Sequence, residues 1–315
     1  SEKEFEVAER RYIERLARVA RETAVGEAIA WQNVAMYQSN LVALDATANR
    51  KNRRRADKVF SYVSRYTAKN DTIGFYGPLS WGTVGQAPKS FFRAQQPLLD
   101  NRRLYFESWA VDEIARALAR LPGVFPYLPI IIHGTLQQPT GQDQIGGADT
   151  INERITTGVR RNDTIGSLAA RMASSHGDSF EDVAVGIGEL VSSGRLTCVP
   201  LADVADDGLD YLQRWVAEVP DPVVRARVES ALKPFGDLRE ELVQARGDAN
   251  AVADAQSRLS QEFSRVTGAD PTRRPGEQYA GRSLVYEDST RHVEFSIGDD
   301  YLDAVIRVDH ALMGR

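Results

Sequence analysis

The chain has 315 residues, of which 42% are hydrophobic and 26% are charged, and its formal net charge is −5. This length allows two or three hydrophobic cores, and the composition is ordinary for a globular protein. No apolar run approaches the roughly 20 residues of a membrane-spanning helix, and the charged N-terminus lacks a signal-peptide core. Cys198 is the only cysteine, which excludes an intrachain disulfide and predicts a cytoplasmic location. Without an initiator methionine, the sequence is expected to belong to a longer protein.

The first 124 residues form the first predicted domain, which is mainly helical. Apolar residues recur there at helical spacing, and a glycine-rich turn interrupts the pattern. The predicted elements are helices over 5–24 and 26–48, a third helix from Arg50, a turn at 74–78, extended chain over 79–84, a short strand over 103–106 and a helix over 107–121.

Residues 125–200 form the second predicted domain, with a winged-helix pattern. An apolar, β-branched run over 127–136 precedes a polar loop over 137–149. We expect a strand over 150–159, a helix capped by Asp163, a second helix capped by Ser179, and a strand over 195–199.

Residues 201–315 form the third predicted domain, in which helices return. The predicted elements are helices over 209–219, 222–244 and 249–266, a polar loop over 268–281, a β-hairpin from strands 283–287 and 292–297, and a last helix from Asp299. The whole chain is therefore predicted to be α+β, mostly helical, with small antiparallel sheets and an embedded winged-helix-like element.

Several kinds of chemistry have no motif in this sequence. There is no Walker A phosphate loop, no Gly-x-Gly-x-x-Gly fingerprint and no Gly-x-Ser-x-Gly elbow. The four histidines are scattered and lie outside any zinc-ligand spacing, so we predict no metal and no bound cofactor. Cys198 is interpreted as a small buried hydrophobic residue.

A basic cluster stands out against this acidic chain. Nine consecutive residues hold six cations and one acid, so the rest of the chain carries about −10. Such a focus indicates either a solvated helix face or contact with the phosphates of a nucleic acid. The six candidate RNA-binding residues are Arg50, Lys51, Arg53, Arg54, Arg55 and Lys58.

Two segments combine polar side chains with a turn. The first contains Arg65, Lys69, Asp71 and Thr72 and breaks at glycines, which is how loops carry sites, although cations at a helix C-terminus also complement its dipole. The second contains Arg282 and Asp288, whose even spacing would place them on one face of an unbroken strand. A hairpin with acids at its turn explains the second segment equally well.

These motifs together resemble the N-terminal signature of lantibiotic (class I lanthipeptide) dehydratases, and most closely the thiopeptide-type branch. The resemblance covers most of the chain. It rests on Arg65-Tyr-Thr-Ala-Lys-Asn-Asp-Thr-Ile-Gly-Phe-Tyr-Gly-Pro, Trp81-Gly82, Trp31-Gln32-Asn33, Phe106-Glu107-Ser108-Trp109-Ala110 and Tyr279-Ala280-Gly281-Arg282-Ser283-Leu284-Val285-Tyr286-Glu287-Asp288.

The resemblance implies a function that the bare sequence does not. In that family, the glutamylation domain takes glutamate from glutamyl-tRNA and esterifies Ser or Thr side chains of a ribosomally made precursor peptide. A separate domain or protein then eliminates glutamate. The family also embeds a winged-helix element that recognises the leader of the precursor, and 125–200 is where it would lie. The implied partners are the precursor peptide, glutamyl-tRNA as co-substrate and an elimination protein.

The site residues implied by the resemblance are Arg65, Lys69, Asp71 and Thr72 in the first motif and Arg282 and Asp288 in the second. Many family members carry two arginines four residues apart and then Thr-Pro-Phe-Gly. Here Lys69 keeps the charge but loses the bidentate fork of arginine, and Asp71 stands where others have Thr. The two segments must converge in space for this assignment to hold.

Other functions remain open at this stage. The chain is shorter than a full glutamylation domain, so it is alternatively a peptide-binding module or a scaffolding homologue. A related branch, the peptide aminoacyl-tRNA ligases, adds an amino acid to a peptide C-terminus instead. DNA binding is disfavoured, because the predicted recognition helix over 165–175 carries only Arg171 as a cation.

Overall fold

The computed structural model describes residues 2–68, 74–85, 88–133, 150–203, 207–273 and 283–303. The fold is α+β, as predicted. Its strands are β1 Thr83–Val84, β2 Phe91–Phe106, β3 Ile131–Ile132, β4 Leu196–Thr197 and β5 Val285–Ile297. Its helices are α1 Glu2–Val19, α2 Thr23–Gln32, α3 Val34–Met36, α4 Arg50–Ala68, α5 Ser108–Ala119, α6 Ile151–Gly158, α7 Ile165–His176, α8 Phe180–Ser192, α9 Gly208–Ala217, α10 Pro222–Gln244 and α11 Ala249–Thr267.

The chain divides into two compact units. The first comprises Ser1–Tyr105, Leu238–Leu259 and Arg274–Arg315, and the second comprises Phe106–Asp237 and Ser260–Arg273. The predicted winged-helix segment lies wholly within the second unit. The three-domain division remains a prediction. None of the helices in the described ranges is long and apolar enough to cross a membrane.

The first unit has a helical core built by α1 to α4. Ile13, Ile29 and Val59 are fully buried in it, because each lies on the inward face of its helix. The predicted helix over 26–48 is interrupted at Asn33, whose extended backbone ends α2. The Asn33 side chain accepts a hydrogen bond from the amide of Met36 at 2.9 Å, so it starts α3 as an N-cap. A π-helical turn over Tyr37–Leu41 follows.

The first unit also contains a three-stranded sheet in the order β1-β5-β2. The predicted hairpin over 283–297 is wrong, because β5 runs unbroken through those residues. The backbone at the centre of β5 forms hydrogen bonds with Leu79. The amide of Leu79 donates to the carbonyl of Ser289, and the amide of Arg291 donates to the carbonyl of Leu79. This pairing holds an extended chain where the sequence suggested a turn. β1 also runs parallel to β5 rather than antiparallel, with Thr83 opposite Ser296.

In the second unit, β3 and β4 form an antiparallel pair around α6, α7 and α8. The predicted strand over 150–159 is wrong, because the segment forms α6. Thr150 and Glu153 make a reciprocal capping box at its start, and Ile155 is fully buried. The capping box and the burial of Ile155 stabilise a helix here, although the β-branched residues of the segment favour a strand. Three helices therefore lie between the strands, where two were predicted.

One of the two predicted helix caps is confirmed by the structure, and the other is wrong. Ser179 and Asp182 form the predicted capping box of α8. The residue that caps α7 is Thr164 rather than Asp163. Asp163 pairs instead with Arg171, and the pKa of its carboxyl is lowered because hydrogen bonds from Arg171 and neighbouring groups outweigh its burial.

Gly82 is a position where only glycine fits. A Cβ atom at this position would lie 2.5 Å from the ring of Phe295 in β5. We therefore expect Gly82→Ala to lower the free energy of unfolding by about 1–3 kcal/mol, because the ring or the strand must shift. Chemical denaturation measures this change.

A helical glycine provides the control for Gly82→Ala. A Cβ atom at Gly188, within α8, meets nothing within 4 Å. Gly188→Ala should therefore leave stability unchanged or raise it by about 0.5–1 kcal/mol. Equal destabilisation by both substitutions would contradict the packing argument.

Candidate functional site

Helix α4 presents a cationic stripe to solvent. Its start is set by Asn49, whose side chain accepts a hydrogen bond from the amide of Asn52. Asn52, Ala56 and Val59 are buried on one face of the helix. At about 100° per residue, the residues Arg50, Lys51, Arg54 and Lys58 fall within an arc of about 100° on the opposite face. All four are exposed, and we call this set the α4 stripe.

The α4 stripe is distinct from the two other cations of the cluster. Arg53 forms an ion pair with Glu9 of α1, and Arg55 donates hydrogen bonds to the carbonyl of Ala43 and to Asn52. Within the described ranges, the four stripe residues have no recorded ion pair or hydrogen bond. Arg53 and Arg55 therefore stabilise contacts within the fold, whereas the exposed cations of the stripe are accessible to an anionic ligand.

The position of the stripe argues against a purely structural role. The first turn of α4 contains no acidic residue. Cations near the positive end of a helix dipole typically cost about 0.3–1 kcal/mol each at the surface. A helix selected for stability alone would place these charges at its other end. Helix stability therefore does not explain Arg50 and Lys51, which lie in the first turn, and binding of a polyanion by the stripe stays a prediction.

A buried charge network lies at the centre of the first unit. Glu287 of β5 and Glu27 of α2 are 3% and 5% exposed in their side chains. Arg102 of β2 joins them, at 2.7 Å from Glu27 and 2.9 Å from Glu287. Arg246, in the turn after α10, reaches Glu287 at 3.1 Å. Two carboxylates and two guanidinium groups thus compensate one another away from water.

Arg102 is the member that touches both carboxylates. Burial by itself lowers the pKa of its guanidinium, but the hydrogen bonds to Glu287 and Glu27 outweigh burial, so the pKa is raised. The guanidinium also lies over the ring of Phe75, 4.5 Å from its centroid. The network therefore reaches the turn at Gly74–Tyr76, which follows the first predicted site segment.

Aromatic stacking links this turn to the end of α4. The rings of Tyr76 and Tyr66 stack with centroids 4.9 Å apart. The hydroxyl of Tyr66 donates to Gln32, and Asn33 donates to the hydroxyl of Tyr62. Trp31, in the same motif, donates its indole N–H to Glu27. The Trp-Gln-Asn motif thus ties α2 to α4 and to the charge network.

The turn Gly74–Tyr76, which follows the first predicted site segment, lies beside β5, which carries Asp288 of the second. A Cβ atom at Gly74 would lie 3.5 Å from a carboxylate oxygen of Glu287, so the turn that follows the first segment packs against the strand of the second. The convergence of the two segments themselves, which the site assignment requires, stays a prediction. Lys69, Asp71, Thr72 and Arg282 lie outside the described residues.

Arg65 and Asp288 are the two predicted site residues that the structure describes. Arg65 is half-buried near the C-terminal end of α4. Asp288 is exposed, because successive side chains of β5 point to opposite faces and Glu287 takes the buried face. The acid that reaches the core is therefore Glu287, whereas Asp288 remains open to a ligand.

Sequence reasoning missed all four members of the charge network. Glu287 lies inside one of the family motifs, and on an unbroken strand it shares a face with the apolar Val285, two residues before it. No comparable signal exists for Glu27, Arg102 and Arg246. Their partners are 41 to 185 residues away along the chain, and pairing over such distances leaves no local pattern.

The second unit contains a separate pocket of about 330 Å³. Its lining includes Pro126, Tyr127, Trp215, Glu218 and Pro220. This size and this apolar, aromatic lining suit a side chain or a short segment of peptide.

Elsewhere in this unit, Cys198 is buried, and burial raises the pKa of its thiol to about 11, consistent with an inert residue. No group of three or more metal-ligating side chains occurs among the residues that the structure describes.

The chain belongs to the family of lantibiotic dehydratase N-terminal domains: the family described as Lantibiotic dehydratase, N terminus, matches residues 21–313. The fold is similar to that of the tRNA-dependent lantibiotic dehydratase MibB from Microbispora sp. 107891, with a TM-score of 0.62 and 17% identity. The similarity covers 94% of this chain but 29% of MibB, so the chain spans less than a third of that enzyme. No curated protein matches the sequence.

Neighbouring acids on β5 provide a test of the charge network. We expect Glu287→Gln to lower the free energy of unfolding by about 3–5 kcal/mol, because it leaves the partly buried guanidinium groups of Arg102 and Arg246 without full compensation. Asp288→Asn, one residue away on the exposed face, should change it by less than about 0.5 kcal/mol. Denaturant titration of both variants measures the difference, and similar values for the two would show that the network does not support the fold.

Proposed function

We propose that this chain contributes to the transfer of glutamate from glutamyl-tRNA to Ser or Thr side chains of a ribosomally made precursor peptide. Membership of the dehydratase family supports the general role. The observation that carries the specific proposal is the α4 stripe, since its four exposed cations, which form no ion pair with any described residue, suit the phosphates of an RNA. A role with charged tRNA implies a cytoplasmic location and, after transfer, an elimination protein that removes glutamate.

The proposed reaction is a transesterification. The hydroxyl oxygen of Ser or Thr attacks the carbonyl carbon of the glutamyl ester. The bond from that carbon to the ribose oxygen of the tRNA breaks, and the hydroxyl proton passes to the leaving oxygen. The ester is already activated, so the protein needs to position the reactants, move one proton and stabilise the oxyanion. The proposal requires no metal or bound cofactor.

The residues take roles according to their chemistry. In this proposal, Arg65 and Lys69 hold terminal phosphates of the tRNA or the glutamate carboxylate, and Arg282 binds a carboxylate or the oxyanion. Asp288 orients the ammonium group or accepts the hydroxyl proton, which its exposure on β5 permits. Asp71 and Thr72 position the substrates.

A peptide-binding module is the second candidate function. The observation in its favour is the pocket beside Tyr127 and Trp215, within the unit that contains the predicted leader-recognition segment. Such a module binds the precursor without transferring glutamate. A peptide aminoacyl-tRNA ligase is chemically close to the first proposal, but its product carries the amino acid at the peptide C-terminus.

A transfer assay separates these functions. Labelled glutamyl-tRNA and a precursor peptide are incubated with the dehydratase that contains this chain, and mass spectrometry locates the label. We expect label on Ser or Thr side chains and its loss in Arg65→Ala and Asp288→Ala. Label at the C-terminus indicates a ligase, and peptide binding without label indicates a module. Unchanged transfer by both variants would refute the site assignment.

The α4 stripe has a direct test in tRNA binding. Arg54→Ala combined with Lys58→Ala should weaken binding of tRNA and reduce the salt dependence by about one unit of slope per phosphate contact removed. Filter binding over a range of salt concentrations measures both effects.

The same helix offers a matched control for the stripe. Arg53→Ala removes a cation that is already paired with Glu9 and lies off the stripe. It should leave the salt slope unchanged. A loss of affinity in Arg53→Ala as large as in the double variant would show that net charge, rather than the stripe, attracts the RNA.

A further inference from the structure

Trp81 presents its indole to solvent. The residue is 81% exposed, more than any other large hydrophobic residue of the described chain. Single exposed apolar residues are common, but tryptophan is the side chain with most to gain from a partner. None of the roles described above uses Trp81, which lies in the Trp-Gly pair that follows the first site segment.

The backbone on both sides of Trp81 is held firmly. On one side, Leu79 exchanges two hydrogen bonds with Ser289 and Arg291 of β5, at 2.8 and 2.7 Å. On the other side, Thr83 pairs with Ser296, and their hydroxyls are 3.0 Å apart. The exposed indole is therefore attached to a fixed strand edge, and ordering it costs a ligand little conformational entropy.

Trp81 lies close along the chain to the end of α4. Tyr76 is five residues before it, a separation of at most about 18 Å for extended chain. The ring of Tyr76 stacks on Tyr66 in the last turns of α4, and the α4 stripe occupies the same helix. The stripe and the indole thus belong to one unit, and the Tyr66–Tyr76 stacking connects α4 to the chain segment that leads to Trp81.

We propose that Trp81 stacks on a base of the unpaired 3′ end of the tRNA while the α4 stripe contacts the phosphates of the paired stem. This inference rests on the proposed function and adds a base-stacking residue to it. Unpaired bases are recognised by stacking on aromatic side chains, and any base offers a face for this contact. An exposed indole on an anchored backbone and a cationic stripe in the same unit provide the two contacts that such recognition needs.

A protein partner is the competing explanation for the exposed indole. Leu79 and Val84 are also exposed nearby, at 41% and 61%. The α4 stripe favours RNA, because its unpaired cations would be left without compensation under a purely apolar protein contact. Binding measurements with RNA distinguish an RNA ligand from a protein partner.

The test compares two RNAs across variants of the full chain. The RNAs are a tRNA transcript with its unpaired 3′ nucleotides and the same transcript without them. Trp81→Ala should weaken binding of the intact transcript by about 5- to 150-fold and leave binding of the shortened one unchanged. Trp81→Phe should retain most of the affinity. Phe92→Ala, which removes another exposed aromatic residue of the same sheet, is the control and should affect neither RNA.

Several results of this comparison would overturn the proposed stacking of Trp81 on the RNA. Equal affinities of Trp81→Ala and the unsubstituted chain for the intact transcript would overturn it while leaving the proposed function standing. Equal weakening for both RNAs would also overturn it, since the contact would not involve the 3′ end. Failure of the unsubstituted chain to bind either RNA would overturn the inference and the proposed tRNA role together. If Trp81→Ala disrupts association with another protein and leaves RNA affinity intact, the indole is a protein contact.

Discussion

The first unit depends on one buried interaction, the pairing of Glu287 with Arg102 and Arg246. Removing charges from water is costly, and a buried carboxylate is tolerated only when guanidinium groups compensate it with good geometry. The three partners come from β5, β2 and the turn after α10, and Glu27 of α2 completes the cluster. The network therefore specifies which strands and helices meet, more than it adds net stability.

The same network connects the fold to the site. Arg102 touches two carboxylates and the ring of Phe75, and the neighbouring ring of Tyr76 stacks on Tyr66 of α4. The network therefore contacts the turn that follows the first predicted site segment. Asp288 lies one residue beyond the network on the opposite face of β5, so one strand supplies both a structural acid and a candidate functional one.

Charge is divided along the chain in a way that suits two substrates. The α4 stripe is basic and exposed in the first unit, whereas the second unit offers an apolar pocket with aromatic walls. A polyanion and a peptide therefore have separate candidate surfaces. This separation suits the proposed function, in which glutamate passes from a tRNA to a precursor peptide.

Local patterns in the sequence determined most of the helices, although α6 was predicted as a strand and the break at Asn33 was not predicted. The periodicity of apolar residues placed α4, α5, α10 and α11, and Ser179 with Asp182 placed the start of α8, because these signals act within a few residues. The family motifs located the two site segments. The tertiary structure decided what depends on distant partners: β5 is one strand because Leu79 pairs with its centre, and Glu287 is buried because Arg102 and Arg246 reach it. Such contacts join residues far apart in the chain, and no short stretch of sequence encodes them.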